Sequence, residues 1–534
     1  MSRIGVAGLR LRPKQLSDRS PAIHSTFYGA KTGRRACSIA EMAQSSRSTR
    51  IKNPQQPGLF YWLSVIYMNA SDEIEQGING QGGSVPMSVK PSNNLAADSG
   101  KKPMSKSSLS FGARLYYRYR KLWKTLKIYL IMAGPGIIVM VADNDAGGIT
   151  TYTVTGSTYG YNLIWFLILL GPVAYFVQEM TVRLGAVTKR GHAEAIFDAF
   201  GAFWGWFSLG DLALTDWLTL ITEFIGMTAA LSIFGIQPLI TVVLVCVFMM
   251  ALVLNGRYWT WEKIVLVFCV LNLIYIPAAI MVHPDWDRVL GGVIPNLPAS
   301  QGLGALVFLL MANIGTTIAP WMLFFQQSSV VDKGMKPKDI PFGKMDTALG
   351  AVLTVMVAVF LIVVTGTLLL GQPVNSAAEA AVALQKENNL VGTMVAIGLF
   401  DAGLLGAICI SLASSWAIGE VFGWAHSLNS SRRAARGFHI FYFIMLVSAG
   451  AMVLISPQHV LVTVTLFVQV IAVTLLPAAL VFLLLLLNNE ELMGKYKNNR
   501  RQNVIGFTIV GAIILLSMLY AITAMFPGLL GGVG

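Results

Sequence analysis

Charge is what this 534-residue chain has least of. Asp, Glu, Lys and Arg make up 12% of it, about half the ~25% of an ordinary soluble protein. So few charges cannot cover a water-exposed surface, which excludes soluble enzymes and soluble nucleic-acid-binding proteins. Histidine is scarce (6) and cysteine scarcer (4). Cys246, Cys269 and Cys409 sit inside apolar runs, and with Cys37 they show no CxxC spacing. Neither a disulfide framework nor a thiolate metal site is indicated, and these read as small core residues. His283 and His459 fall at the ends of apolar runs, and His192 precedes Glu194 in a loop. No HExxH, phosphate-binding loop, Ser/His/Asp pattern or GxGxxG unit occurs in a credible context, so the chain is not expected to be an enzyme.

Apolar residues are abundant instead, at 55% with a mean hydropathy of +0.63. A bilayer span takes about 20 of them. Eleven apolar segments follow one another at 129–156, 161–187, 206–233, 236–255, 264–283, 303–330, 345–370, 390–425, 437–456, 459–487 and 503–527. The net charge of +13 would suggest a nucleic-acid partner in a soluble chain; here it is distributed by topology. Loops after the even-numbered segments hold Lys189, Arg190, Arg257, Lys263, Lys333, Lys336, Lys338, Lys344, Arg432, Arg433, Arg436, Lys495, Lys497, Arg500 and Arg501. Loops after the odd-numbered ones hold only Arg288 and Lys386. This bias predicts a cytoplasmic N-terminus and a C-terminus outside.

Residues 1–110 are different: basic, Ser-rich and poor in acids, which reads as a disordered cytoplasmic tail. The same composition fits a transit peptide or a start assigned too early, with Met68, Met87 or Met104 as the true start. Leu59–Met68 is too short to span. Residues 111–128 read as a basic, aromatic juxtamembrane helix containing YYRYRKLWKTLK, and 129–534 as the transmembrane domain.

Eleven spans fit two inverted five-helix repeats plus one, an architecture in which the first helix of each repeat breaks at mid-membrane and its backbone makes the substrate site. Segments 1 and 6 carry the interruptions: Asp143-Asn144-Asp145-Ala146-Gly147-Gly148 and Thr316-Thr317-Ile318-Ala319-Pro320. Carboxylates at that depth are expensive and usually functional. Asp143 and Asp145 therefore read as a cation site or as caps of the half-helix after the break, and the two roles are compatible. Asp216 and Glu223 in segment 3 are seven residues apart and share a helix face; they suit a proton or cation path, or helix–helix hydrogen bonds, with Asp211 at a capped end. Gln469 in segment 10 reads first as helix–helix glue. Glu179 can pair with Arg183 one turn on; they, with Gln178, Asp401 and Glu420, read as structural or gating.

Gly134-Pro135-Gly136, Asp145-Ala146-Gly147-Gly148, Thr155-Gly156-Ser157-Thr158-Tyr159-Gly160-Tyr161, Gln178 with Arg183-Leu184-Gly185, Glu223-Phe224-Ile225-Gly226, and Gln469 with Pro477 occur in an order and spacing that resembles the NRAMP family of divalent-metal transporters over about 129–527. The resemblance implies a LeuT/APC-like fold. It also implies a metal held by Asp145, by backbone carbonyls of both breaks near Ala142 and Thr316, and by Gln469. The family's DPGN asparagine is Gly148 here, its Met-Pro-His is Ala319-Pro320-Trp321, and the helix 3 acid three before Glu223 is Leu220. Losing the thioether removes a soft ligand that favours transition metals. A wider, oxygen-lined site suits Mg²⁺, which retains several waters and binds through one or two carboxylates. Losing the histidine and the helix 3 acid removes obvious proton carriers.

The pattern looks like the NRAMP-related magnesium transporters. The expected function is uptake of Mg²⁺, and of Mn²⁺, without proton coupling, by a monomer in the inner membrane. Its substrate is the metal, its surroundings the lipid bilayer, and it needs no cofactor and no nucleic acid. Asp143 would add attraction, Thr317 an oxygen, and Trp321 the cavity wall. The alternatives are a proton-coupled Mn²⁺/Fe²⁺ importer using Glu223 and Asp216, an organic-substrate transporter on the same scaffold, and a non-transporting sensor. The carboxylates argue against the second, and the third would need a large cytosolic domain.

Overall fold

The computed structural model describes residues 134–298 and 302–525. The tail, the juxtamembrane helix, Leu59–Met68 and Cys37 lie outside the described residues. Every described regular element is a helix, in the order α1 Pro135–Ala142, α2 Ala146–Tyr159, α3 Ile164–Thr188, α4 His192–Phe200, α5 Ala202–Ser232, α6 Pro238–Leu254, α7 Tyr258–Leu271, α8 Tyr275–Met281, α9 Trp286–Gly291, α10 Leu303–Gly315, α11 Pro320–Asp332, α12 Ile340–Leu368, α13 Ala377–Glu387, α14 Asn389–Val421, α15 Arg436–Ile455, α16 Gln458–Asn488, α17 Glu490–Met493 and α18 Arg500–Met525. Among the described residues these account for all eleven apolar segments, within a few residues at most ends; 129–133 of the first and 526–527 of the last lie outside them.

Eight helical stretches among the described residues, segments 5 and 6 each counted across their interruptions, are long and apolar enough to cross a membrane. The other three segments fall short for identifiable reasons. Segment 1 is split into α1 and α2, α5 carries Asp211, Asp216 and Glu223, and α6 is only 17 residues long. Starts follow local chemistry: proline opens α1, α6 and α11, where a missing N–H costs nothing, and Ser376 and Asn388 cap α13 and α14 through their side chains. Pro172 and Pro477 lie inside α3 and α16, as membrane helices tolerate.

Packing follows the repeat. Segment 1 packs on segment 7 (α1 and α2 on α12), and segment 6 packs on segment 2 (α11 on α3), the same relationship one repeat later. The most extensive pairing joins α5 and α14, the third helix of each repeat. His192 opens α4 rather than lying in a loop. There it is fully buried, with Nδ1 2.7 Å from Gln327 Oε1, and burial pushes its pKa down to about 4.

Candidate metal-binding site

Both interrupted helices break where the polar sequence places them. α1 stops at Ala142 and α2 starts at Ala146 with Asp145 as its cap; the Gly148 N–H donates to Asp145 Oδ1 at 2.7 Å. An unbroken helix would give the Ala146 N–H to the Ala142 carbonyl. It donates instead to Glu223 Oε2, at 2.9 Å from α5. Glu223 is therefore a second cap on the same half-helix, beside Asp145. In segment 6, α10 ends at Gly315, and Thr316, Thr317 and Ile318 separate it from α11, whose cap position is Ala319 and first residue Pro320. The hydroxyls of Thr316 and Thr317 both donate to the Asn313 carbonyl, at 3.0 and 2.7 Å. The Thr316 carbonyl receives the Tyr152 hydroxyl at 3.4 Å.

The two glycines after Asp145 mark where the breaks face each other. A methyl group on Gly148 would stand 3.1 Å from the Asp143 carbonyl oxygen, 3.4 Å from Asp145 Oδ1 and 3.6 Å from Thr316 Cβ. One on Gly147 would strike Gln469 Nε2 at 1.9 Å, with Asp145 Oδ1 at 3.3 Å. Asp145 Oδ1 thus stands near both glycines, with the Asp143 carbonyl and Thr316 beside Gly148 and the Gln469 amide beside Gly147, so groups of segments 1, 6 and 10 lie around the break. Gln469 Nε2 and both carboxylate oxygens of Asp143 are buried without a hydrogen-bond partner. The two ends of an amide have the same shape, so a half-turn of Gln469 presents Oε1 to a cation. These are hard oxygen donors around one or two negative charges.

Other expected residues make contacts of their own. Asp216 does not join Glu223: its Oδ2 takes the Ser414 hydroxyl of α14 at 2.6 Å, two turns away. Trp321 is buried with its indole N–H unpartnered and lies against Phe325. The sulfur missing at Ala319 is not far away, because the Ala319 N–H donates to Met322 Sδ at 3.3 Å. Glu179 pairs with Arg183 at 3.1 Å as its spacing suggested, Asp401 with Asn272, and Glu420 with Ser328.

Asp346 was not singled out by the sequence. Its carboxylate accepts the N–H groups of Gly134, Gly136 and Ile137 at 3.0, 2.7 and 3.3 Å, capping α1 from α12. Beside it Lys333 and Glu262 form a buried ion pair at 2.8 Å. This cluster lies at the end of the bundle where the basic loops lie. At the opposite end, beside α13, a cavity of about 370 Å³ is lined by Thr150, Thr222, Gly226, Ser376 and Glu379 and reaches Ala146, the neighbour of Asp145.

Paired broken helices facing each other at the centre of two intertwined repeats define a multi-pass membrane transporter of LeuT-like fold. The profile of the Nramp family, described as natural resistance-associated macrophage protein-like, matches residues 136–523. The chain belongs to this family and is not an enzyme. It is 29% identical over 432 residues to the divalent metal cation transporter MntH of Staphylococcus aureus strain bovine RF122 / ET3-1, covering 76% of this chain and 93% of that protein. Among solved structures it is similar to the Eremococcus coleocola manganese transporter in complex with an aromatic bis-isothiourea substituted compound. That match has 21% identity and a TM-score of 0.62 and covers 77% of this chain and 90% of that one. MhsT in complex with L-phenylalanine shares the fold more distantly, at 13% identity and a TM-score of 0.51, over 73% and 98% of the two chains.

Proposed function

We propose that this divalent-metal transporter carries Mg²⁺, and Mn²⁺ as well, into the cell by alternating access, and that no proton drives it. The observation that carries the reading is the placement of Asp145 Oδ1, the Asp143 carbonyl and Thr316 beside Gly148, with the Gln469 amide beside the adjacent Gly147. Asp145 supplies the principal charge and Asp143 a second one nearby. Carbonyls at Ala142, Asp143 and Thr316, with Gln469, supply oxygens to an ion that keeps part of its water. Gly148 and Ala319 leave room for that water, and Met322 Sδ is engaged by the Ala319 N–H. An inside-negative potential contributes about 2.3 kcal/mol per charge per 100 mV, hence about 4.6 for a divalent ion, enough to drive uptake.

In this reading the protein sits as a monomer in the inner membrane, with its N-terminus cytoplasmic and its C-terminus outside. The cavity beside α13 then faces outward, and the Asp346 cluster closes the inner side. Binding tests the site: Mg²⁺ titrated into purified protein should release heat or quench fluorescence saturably, and Asp145→Ala should abolish the signal without altering thermal unfolding. Unchanged Mg²⁺ binding by the folded variant contradicts the assignment.

One observation favours a second reading, a proton-coupled Mn²⁺ importer. Glu223 lies beside Asp145, where a proton carrier would sit, and the relatives' names specify manganese or divalent metal cations. Acidification of the vesicle interior during Mn²⁺ uptake would support it.

A further inference from the structure

Away from the helix breaks, the fifth segment is also interrupted. A 3-10 turn, Asn272–Ile274, separates α7 from α8. Its cause is Pro277, which has no N–H to give the Leu273 carbonyl four residues earlier. In a 3-10 turn residues three apart eclipse, so Asn272 and Tyr275 project to one side, and this part of the segment packs on α14. There the Asn272 amide N–H donates to Asp401 Oδ2 at a long 3.4 Å. The Tyr275 hydroxyl lies against Gly398, where an added methyl would meet its oxygen at 2.6 Å. Gly398 is one turn before Asp401 and on the same face of α14.

Three oxygens are left over. Asp401 Oδ1, Asn272 Oδ1 and the Tyr275 hydroxyl are all buried and have no hydrogen-bond partner; the residues' exposures are 1%, 0% and 0%. Among the described residues, Asp401 makes no ion pair. A lone carboxylate, an amide carbonyl and a phenol oxygen, all buried where the fifth segment packs on α14, form a donor set with one negative charge. Buried polar atoms left unpaired cost about 1–3 kcal/mol each, so three together call for an occupant. One positive charge neutralises this donor set, whereas two would leave a bare charge in a low-dielectric interior.

We propose that Asp401, Asn272 and Tyr275 form a second cation site, separate from the divalent-metal gap, that takes a monovalent metal ion, Na⁺. The bound ion ties the kinked fifth segment to α14 and so couples Na⁺ to the packing of the bundle. It does not depend on which divalent metal is carried.

The test uses the purified full-length chain in lipid nanodiscs, unfolded thermally in NaCl and in N-methyl-D-glucamine chloride at equal ionic strength, with ²²Na⁺ binding in parallel. The expected result is a saturable rise of Tm with Na⁺ alone and binding of one ion per chain. Both should be lost in Asp401→Asn. Tyr275→Phe, which removes a single oxygen and keeps the ring, should weaken apparent Na⁺ affinity about fivefold. Asp145→Ala should keep the full Na⁺ response, so failure of the divalent site and failure of this one are distinguishable. Equal Tm values in the two salts, or a Na⁺ response that survives in folded Asp401→Asn, would overturn the proposal and leave Asp401 as a protonated structural carboxyl.

Discussion

The Asp346 carboxylate accepts the backbone N–H of Gly136 at 2.7 Å, joining positions 210 residues apart. With the Gly134 and Ile137 N–H groups on the same carboxylate, it satisfies three donors that the start of a helix leaves open. The Gly-Pro-Gly sequence thus has a physical role: it opens α1 so that an anion from the other repeat can seat on the helix end. If that end must part from α12 for the metal to leave, Asp346 holds the closed state.

Asp346→Ala removes the contact, and loss of a cap costs about 0.5–2 kcal/mol. The variant should shift toward a state open at the end with the basic loops. Spin labels on α1 and α12 would show a longer distance population than in the parent protein; an unchanged distribution would rule out a gating role.

Selectivity is expected to follow ligand softness. Ala319→Met should raise preference for Mn²⁺ or Cd²⁺ over Mg²⁺, and Gly148→Asn should act in the same direction by refilling the gap beside Asp143 and Asp145. Competition of these ions in a Mg²⁺ uptake assay reads the change. Identical inhibition curves for parent and variants would count against the softness argument.

Arg183 should dominate stability in its region. Its guanidinium donates to Glu179 Oε2 at 3.1 Å, Asn498 Oδ1 at 2.8 Å and the Tyr496 carbonyl at 3.1 Å, and its side chain is 6% exposed. Arg183→Ala leaves Glu179 with Lys344, which is itself 38% exposed. Breaking a buried pair costs about 3–5 kcal/mol, so a marked fall in Tm is expected, whereas Arg288→Ala, on an 80% exposed side chain, should change it little.

Much of this arrangement was legible in the sequence. Span count and the two breaks, with Asp145 at the first of them, were readable because hydropathy and helix-breaking residues act locally. Gln469 came from the family pattern, not from its surroundings. Asp346, Met322 and the Asn272–Asp401 pair were not legible, since each depends on which helices pack together. Asp216 and Glu223 show the limit of face arithmetic: sharing a helix face does not give two residues a common neighbour, and α14 takes one while α2 takes the other.

His192 gives a pH dependence. Its pKa near 4 in the fold lies below about 6.5 in the unfolded chain, so the unfolded state binds more protons between those values. Stability is complete above about pH 6.5 and falls as pH drops toward 4. His192→Gln should flatten Tm in that window, and an equally steep slope in the variant would assign the loss to other groups.

The most direct test of the account is uptake by proteoliposomes holding a Mg²⁺ indicator and a pH indicator, under an imposed inside-negative potential. The account predicts Mg²⁺ entry that rises with the potential, without a proton signal, and that disappears in Asp145→Ala. Mn²⁺ entry accompanied by acidification, with no Mg²⁺ response, would contradict it and assign the transport to a proton-coupled mechanism.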